Sequence, residues 1–186
     1  IGACGLSLFH YSGGDGEFKD AGSSEGSDRY RLYLGKVNLS KKDNKMFLIG
    51  DLPNENTLGF YLNIKLEQGI NGVEALSYLS VVKLNILIIL QDSGEVAFEY
   101  SGVLFKDGYR GGKYFREGLS PGETYREGCK YISLTIPYRF DEKYKIGSIE
   151  TPFYKDLKRI IKLEVVEPQD KKNIIADVVI SGGGWQ

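Results

Sequence analysis

The chain has 186 residues, a formal net charge of −1, and 41 % hydrophobic against 26 % charged residues. These values suit one globular domain large enough to bury a core. The small net charge argues against an electrostatically driven binder of nucleic acid or acidic membrane. The longest aliphatic run, Ile86–Leu90, is far too short to cross a bilayer as a helix.

The first four residues are Ile1-Gly2-Ala3-Cys4, a cysteine behind a short run that includes small residues. The pattern resembles the lipobox of bacterial lipoproteins. That resemblance implies cleavage before Cys4, acylation of its thiol and amino group, and a periplasm-facing place in the bacterial cell envelope, with the outer membrane as the first expectation. A multiply acylated cysteine holds firmly, whereas a single acyl chain binds only marginally. Two other readings stay open: a free thiol in a loose N-terminus, or a disulfide to Cys129, the only other cysteine. Residues 1–28 are rich in Gly, Ser and Asp and poor in apolar side chains, which predicts an anchor and flexible tether. Leu6, Leu8 and Phe9 offer one short strand within it. Residues 29–186 are expected to form a single β-sandwich domain.

Beyond the tether, strand patterns dominate. Phe60, Leu62, Ile64 and Leu66 alternate with Tyr61, Asn63, Lys65 and Glu67, which predicts one buried face and one wet face. Leu84, Ile86, Ile88 and Leu90 share a face of the next strand, and Leu87 and Ile89 suggest cover on its other side too. Asp92-Ser93-Gly94 then turns the chain into Val96–Tyr100 as a hairpin. Ile132, Leu134 and Ile136 alternate with Tyr131, Ser133 and Thr135, and Pro137 marks an edge or strand end. The tail supplies Ile160–Val166 and Ile174–Ile180, joined through Pro168–Asn173.

Helix signals are few. Asn71–Ser80 fits one or two turns with Val73, Leu76 and Ser77 inward, and Thr151-Pro152 offers a second start. Thirteen Tyr and 24 Gly against one Met, one Trp and one His add a strand-and-turn composition. The expected class is all-β: an antiparallel β-sandwich of about eight or more strands with at most one or two short helices, a closed β-barrel being the alternative.

Catalytic chemistry finds little to work with. The only histidine is His10, inside the expected tether, so a Ser-His-Asp or Cys-His arrangement would have to recruit it. The same scarcity argues against zinc. Asp15, Glu17, Asp20, Glu25 and Asp28 cluster, yet the spacing of a calcium loop is missing and a solvated linker explains them. Gly111-Gly112-Lys113 lacks the upstream glycine of a phosphate-binding loop. Glu95 and Glu99 fall on one strand face, a spacing that usually marks a wet side rather than a glycosidase pair. No cofactor and no metal are expected.

Residues 106–131 carry the binding signal. Aromatic-Arg-Glu-Gly occurs twice, at Phe115–Gly118 and Tyr125–Gly128, with Ser120-Pro121-Gly122 between them. That predicts two extended arms folded around a turn at Ser120–Gly122. Tyr109, Arg110, Tyr114, Arg116, Tyr125 and Arg126 are the candidate partner-binding residues, since Tyr and Arg combine contact area with directed polar groups. Ordinary hairpin surface is the competing explanation, because Tyr, Arg and Glu also pair across exposed strands. Six Lys/Arg against four Asp/Glu leave too little excess charge for a single-stranded nucleic-acid channel.

The expected function is a non-catalytic envelope lipoprotein that binds a partner protein through these exposed loops. An immunity or inhibitor protein neutralising a periplasmic toxin is its specific version, and a component of a secretion or surface complex is another. The competing class is a carbohydrate- or lipid-binding β-sandwich module, with a small hydrolase behind it. A flat Tyr/Arg patch favours the first class; a cleft with an apolar lining favours the second.

Overall fold

The computed structural model describes residues 11, 13–24, 27–50, 57–66, 71–126, 128–135 and 158–185. In chain order, β1 (Glu17–Ser24), β2 (Ser27–Asn38), β3 (Asp43–Ile49) and β4 (Thr57–Lys65) precede the helix α1 (Gly72–Leu79). Then come β5 (Lys83–Leu90), β6 (Val96–Val103), β7 (Phe105–Arg110) and β8 (Lys113–Gly118). The last four are β9 (Ser120–Arg126), β10 (Cys129–Thr135), β11 (Arg159–Glu167) and β12 (Ile175–Trp185).

A six-stranded sheet runs β1-β2-β12-β4-β10-β9 and a four-stranded sheet runs β3-β11-β5-β6. Every pairing is antiparallel. The two sheets stay separate, so the molecule is a sandwich and the barrel alternative does not form. β7 and β8 pair only with each other.

The core forms where alternating apolar residues of both sheets meet. In β11, Ile161, Leu163 and Val165 are buried while Lys162, Glu164 and Val166 are exposed, the period of two that a half-covered strand requires. In β5, Leu84, Ile86 and Ile88 are buried and Asn85, Leu87 and Ile89 half-buried. Facing them from the other sheet are Leu32, Phe60, Leu62, Ile132, Leu134, Val178 and Ile180, all in one cluster. Burying one such side chain fully contributes about 1.5–3 kcal/mol.

β4 departs from the expected alternation. Phe60, Tyr61, Leu62, Asn63 and Ile64 are all buried. β4 lies between β12 and β10, where Tyr61 is paired with Val179 and the Ser133 hydroxyl donates to Asn63 Oδ1 at 3.0 Å.

Part of the expected tether, residues 17–24, is strand. From Glu17 onward it forms β1, which lies against β2 with a bulge between Asp20 and Ser23. Tyr11, Phe18 and Tyr30 stack with ring centroids 6.0 and 5.1 Å apart. Asp15 bonds to β3 twice: its N–H donates to the Leu48 carbonyl, and its carboxylate accepts from the Leu48 N–H, each at 2.7 Å. An edge strand needs little apolar content of its own when a partner supplies the ladder. Leu6, Leu8, Phe9 and His10 lie outside the described residues, as do the second helix start at Thr151-Pro152 and the strand end at Ile136-Pro137.

Helix α1 forms where expected; Leu76 packs against the core as expected, whereas Val73 and Ser77 do not face inward. Asn71 caps it, its side chain accepting from the Glu74 N–H at 2.8 Å. Gly72, Ala75 and Leu79 are buried, whereas Val73 is 81 % exposed and Ser77 is exposed. Small residues allow the close approach: a Cβ on Gly72 would collide with the Glu123 carboxylate. The larger Val73 stays outside.

Candidate functional site

The Tyr/Arg-rich segment is two hairpins in two different sheets. Its first turn is at Gly111-Gly112, where both residues have positive φ, +60° and +77°. No atom lies within 4 Å of a Cβ built on either, so glycine serves the backbone conformation there, as in the tight two-residue turn whose twist matches a hairpin. Ser120-Pro121-Gly122, expected as the turn, instead runs through β9, the edge of the six-stranded sheet. An edge strand tolerates a residue without an N–H.

The hairpin's base is locked into the core. Leu104 and Leu119 flank it with no exposed surface, and Phe105 is 3 % exposed. The Leu104 N–H donates to the Val82 carbonyl at 2.7 Å, and the Leu119 N–H to the Leu104 carbonyl at 2.9 Å. Gly118, with φ of +86°, closes this junction, and a Cβ there would collide with the Leu104 carbonyl.

Toward the tip the side chains are exposed and brace one another. Tyr109 faces Tyr114 across the strands, with centroids 5.7 Å apart and planes at 67°, the edge-to-face arrangement that aromatic quadrupoles favour. The Tyr114 hydroxyl donates to Asp107 Oδ2 at 2.9 Å. The Arg116 guanidinium lies 5.9 Å from the Tyr114 ring and 5.7 Å from that of Phe105. Register puts Asp107, Tyr109, Tyr114 and Arg116 on one face. Arg110 is on the other face with Lys113, its guanidinium 4.8 Å from the Phe115 ring.

Of the six expected contact residues, the fold thus groups Tyr109, Tyr114 and Arg116 and sets Arg110 behind them. Tyr125 and Arg126 belong to the β9–β10 hairpin, where their backbones pair with Lys130 and Cys129; their side chains lie outside the described residues. Cys4 is likewise outside them. Cys129 is half-buried and has no disulfide among the described residues.

An open depression of about 620 Å³ adjoins the hairpin base between β6 and β8, lined by Tyr100, Gly102, Val103, Arg116, Glu117 and Ser120 among others. Tyr100 donates its hydroxyl to the Val103 carbonyl. Its pKa is raised, first by burial and then by the charge of Glu117. Glu95 and Glu99, weighed as paired acids, are both exposed, and Glu95 precedes β6 instead of lying on it. Among the described residues no group of three or more His, Cys, Asp or Glu could hold a metal ion.

The Pro168–Asn173 connection was legible in sequence only as a linker. Gln169 within it is 1 % exposed and ties the loop to Ser40. A lone buried glutamine in a polar loop has no periodic signature, so only the three-dimensional contacts identify it.

Comparison with protein families, characterised proteins and solved structures finds no match to this chain.

Proposed function

We propose that the chain is a non-catalytic binding module that grips a partner protein through the face of the β7–β8 hairpin carrying Tyr109, Tyr114 and Arg116. One observation supports this above others: a hairpin outside both sheets holds Tyr109 at 78 % and Tyr114 at 52 % exposure. Large aromatic rings left in water are poor for solubility, and at an interface each buries a large area. Tyr and Arg are also the residues that dominate interface energetics. The cross-strand contacts fix both rings before a partner arrives, which lowers the entropy lost on binding.

The lipobox-like Ile1–Cys4 extends the proposal to a lipid-tethered module in the bacterial cell envelope, facing the periplasm. Its specific form is an immunity or inhibitor protein that captures a toxin there. A single histidine, His10, supports binding over catalysis.

The test is capture of the partner by the Tyr109→Ala/Arg116→Ala double variant beside the native chain. Capture is expected to fall at least tenfold, about 1.4 kcal/mol or more, with the melting temperature nearly unchanged. Native-level capture contradicts the proposal.

A further inference from the structure

A second site, independent of the hairpin, lies between α1 and the Pro168–Asn173 connection. The cleft has a volume of about 500 Å³, within the range of small-molecule sites. Three distant stretches build it: the end of β4, one face of α1, and the approach to β12. Its lining is apolar at Ile64, Ala75 and Ile174, all buried, and at the partly buried Leu66. Ile175 also lines it and remains 42 % exposed, an apolar surface that a ligand would cover.

Among the described residues that line the opening, the charge has one sign. Lys65, Lys171 and Lys172 line the cleft and are exposed. None of them makes an ion pair among the described residues. No carboxylate is among the described lining residues. Two acids of adjoining elements are engaged elsewhere: Glu74 accepts from the Tyr78 hydroxyl at 2.6 Å, and Glu123 pairs with Lys130 at 3.2 Å. Cations around an apolar hollow complement a ligand with an acidic head and a hydrocarbon body.

The loop carrying two of these lysines is held in place before any ligand arrives. Buried Gln169 accepts from the Lys171 N–H at 2.9 Å and the Lys172 N–H at 3.1 Å through Oε1. Its Nε2 donates to Ser40 Oγ at 2.9 Å and to the Lys172 carbonyl. Ser40 Oγ in turn accepts from the Ile174 N–H at 2.6 Å. This network spends the glutamine's hydrogen-bonding capacity on fixing the backbone of the lysine pair. A preorganised wall binds at lower entropic cost than a mobile one.

We infer that this cleft binds a small amphipathic anion, its acidic head among Lys65, Lys171 and Lys172 and its hydrocarbon chain against Leu66 and Ile175. Calorimetric titration of the full chain with decanoate, kept below its micelle concentration, tests the inference. Acetate and decyltrimethylammonium serve as controls that lack the chain and reverse the charge, and phosphatidylglycerol vesicles separate a free anion from a membrane surface. The expected result is saturable one-site binding of decanoate, with acetate and decyltrimethylammonium each at least tenfold weaker. The Lys171→Glu/Lys172→Glu variant, altered only at exposed side chains, should bind decanoate at least tenfold more weakly with an unchanged melting temperature. Absent decanoate binding, equal binding of either control, native affinity in the variant, or binding to vesicles alone would overturn it. The Tyr109→Ala/Arg116→Ala variant should bind decanoate as the native chain does, so this site and the hairpin can fail separately.

Discussion

The β7–β8 hairpin and the lysine-rimmed cleft both set cations beside apolar or aromatic groups, and they reach that result by opposite routes. In the hairpin, the residues that touch lie within Phe105–Gly118, and its contacts are cross-strand neighbours set by one turn. In the cleft, Leu66, Tyr78 and Lys172 come together only because β4, α1 and the β11–β12 connection pack in the finished fold. The first surface therefore depends on local backbone conformation and the second on the whole sandwich. A substitution can damage one without the other, except at their shared foundation.

That foundation gives the largest expected effect. Leu119 has no exposed surface and joins the hairpin base to the core. Leu119→Ala should cost about 3 kcal/mol, the range for a cavity left by a buried leucine, read as a lower denaturant midpoint with unchanged slope. A cost below about 1 kcal/mol would show that the base is not part of the core.

Gln169→Leu separates the two regions. It removes a buried amide with donors and acceptors engaged in the Lys171–Lys172 loop, at an expected cost of about 2 kcal/mol. Amide hydrogen exchange should accelerate at Lys171 and Lys172 and stay unchanged at Tyr109 and Tyr114. Equal acceleration in both places would mean that the hairpin and the cleft open together. A smaller cost, confined to the other region, is expected from Gly112→Ala, which puts a Cβ at φ of +77°. It should cost about 1 kcal/mol, with faster exchange in β7 and β8 and no change at Lys171.

The same contrast explains what could be read from the chain. Period-two burial of Leu84, Ile86 and Ile88, and the turn at Asp92–Gly94, agree with the expected sandwich because neighbours in sequence carry that signal. The extended character of the Tyr/Arg-rich segment was legible for the same reason, but its pairing into two hairpins and the place of its first turn were not. Gly111-Gly112 was weighed only as an incomplete phosphate loop, yet both positive φ values make it the turn, and Pro121, expected in a turn, lies in the edge strand β9. Val73 was expected inward on hydrophobicity; the buried stripe of α1 instead runs through Gly72, Ala75 and Leu79, which leaves Val73 in solvent. The cleft left no trace in the sequence, since Lys65 and Lys172 are brought together by packing, which no local pattern encodes.

The claim that the hairpin face is the partner-binding surface can be tested directly by site-specific photocrosslinking. A photoreactive phenylalanine would replace Tyr109 in one chain and Lys162, exposed on β11, in another. Both would be exposed to extract of the native cell. A discrete crosslinked partner from position 109, absent from position 162 and lost on adding Arg116→Ala, is the expected result. Identical products from both positions, or none from position 109, would contradict it.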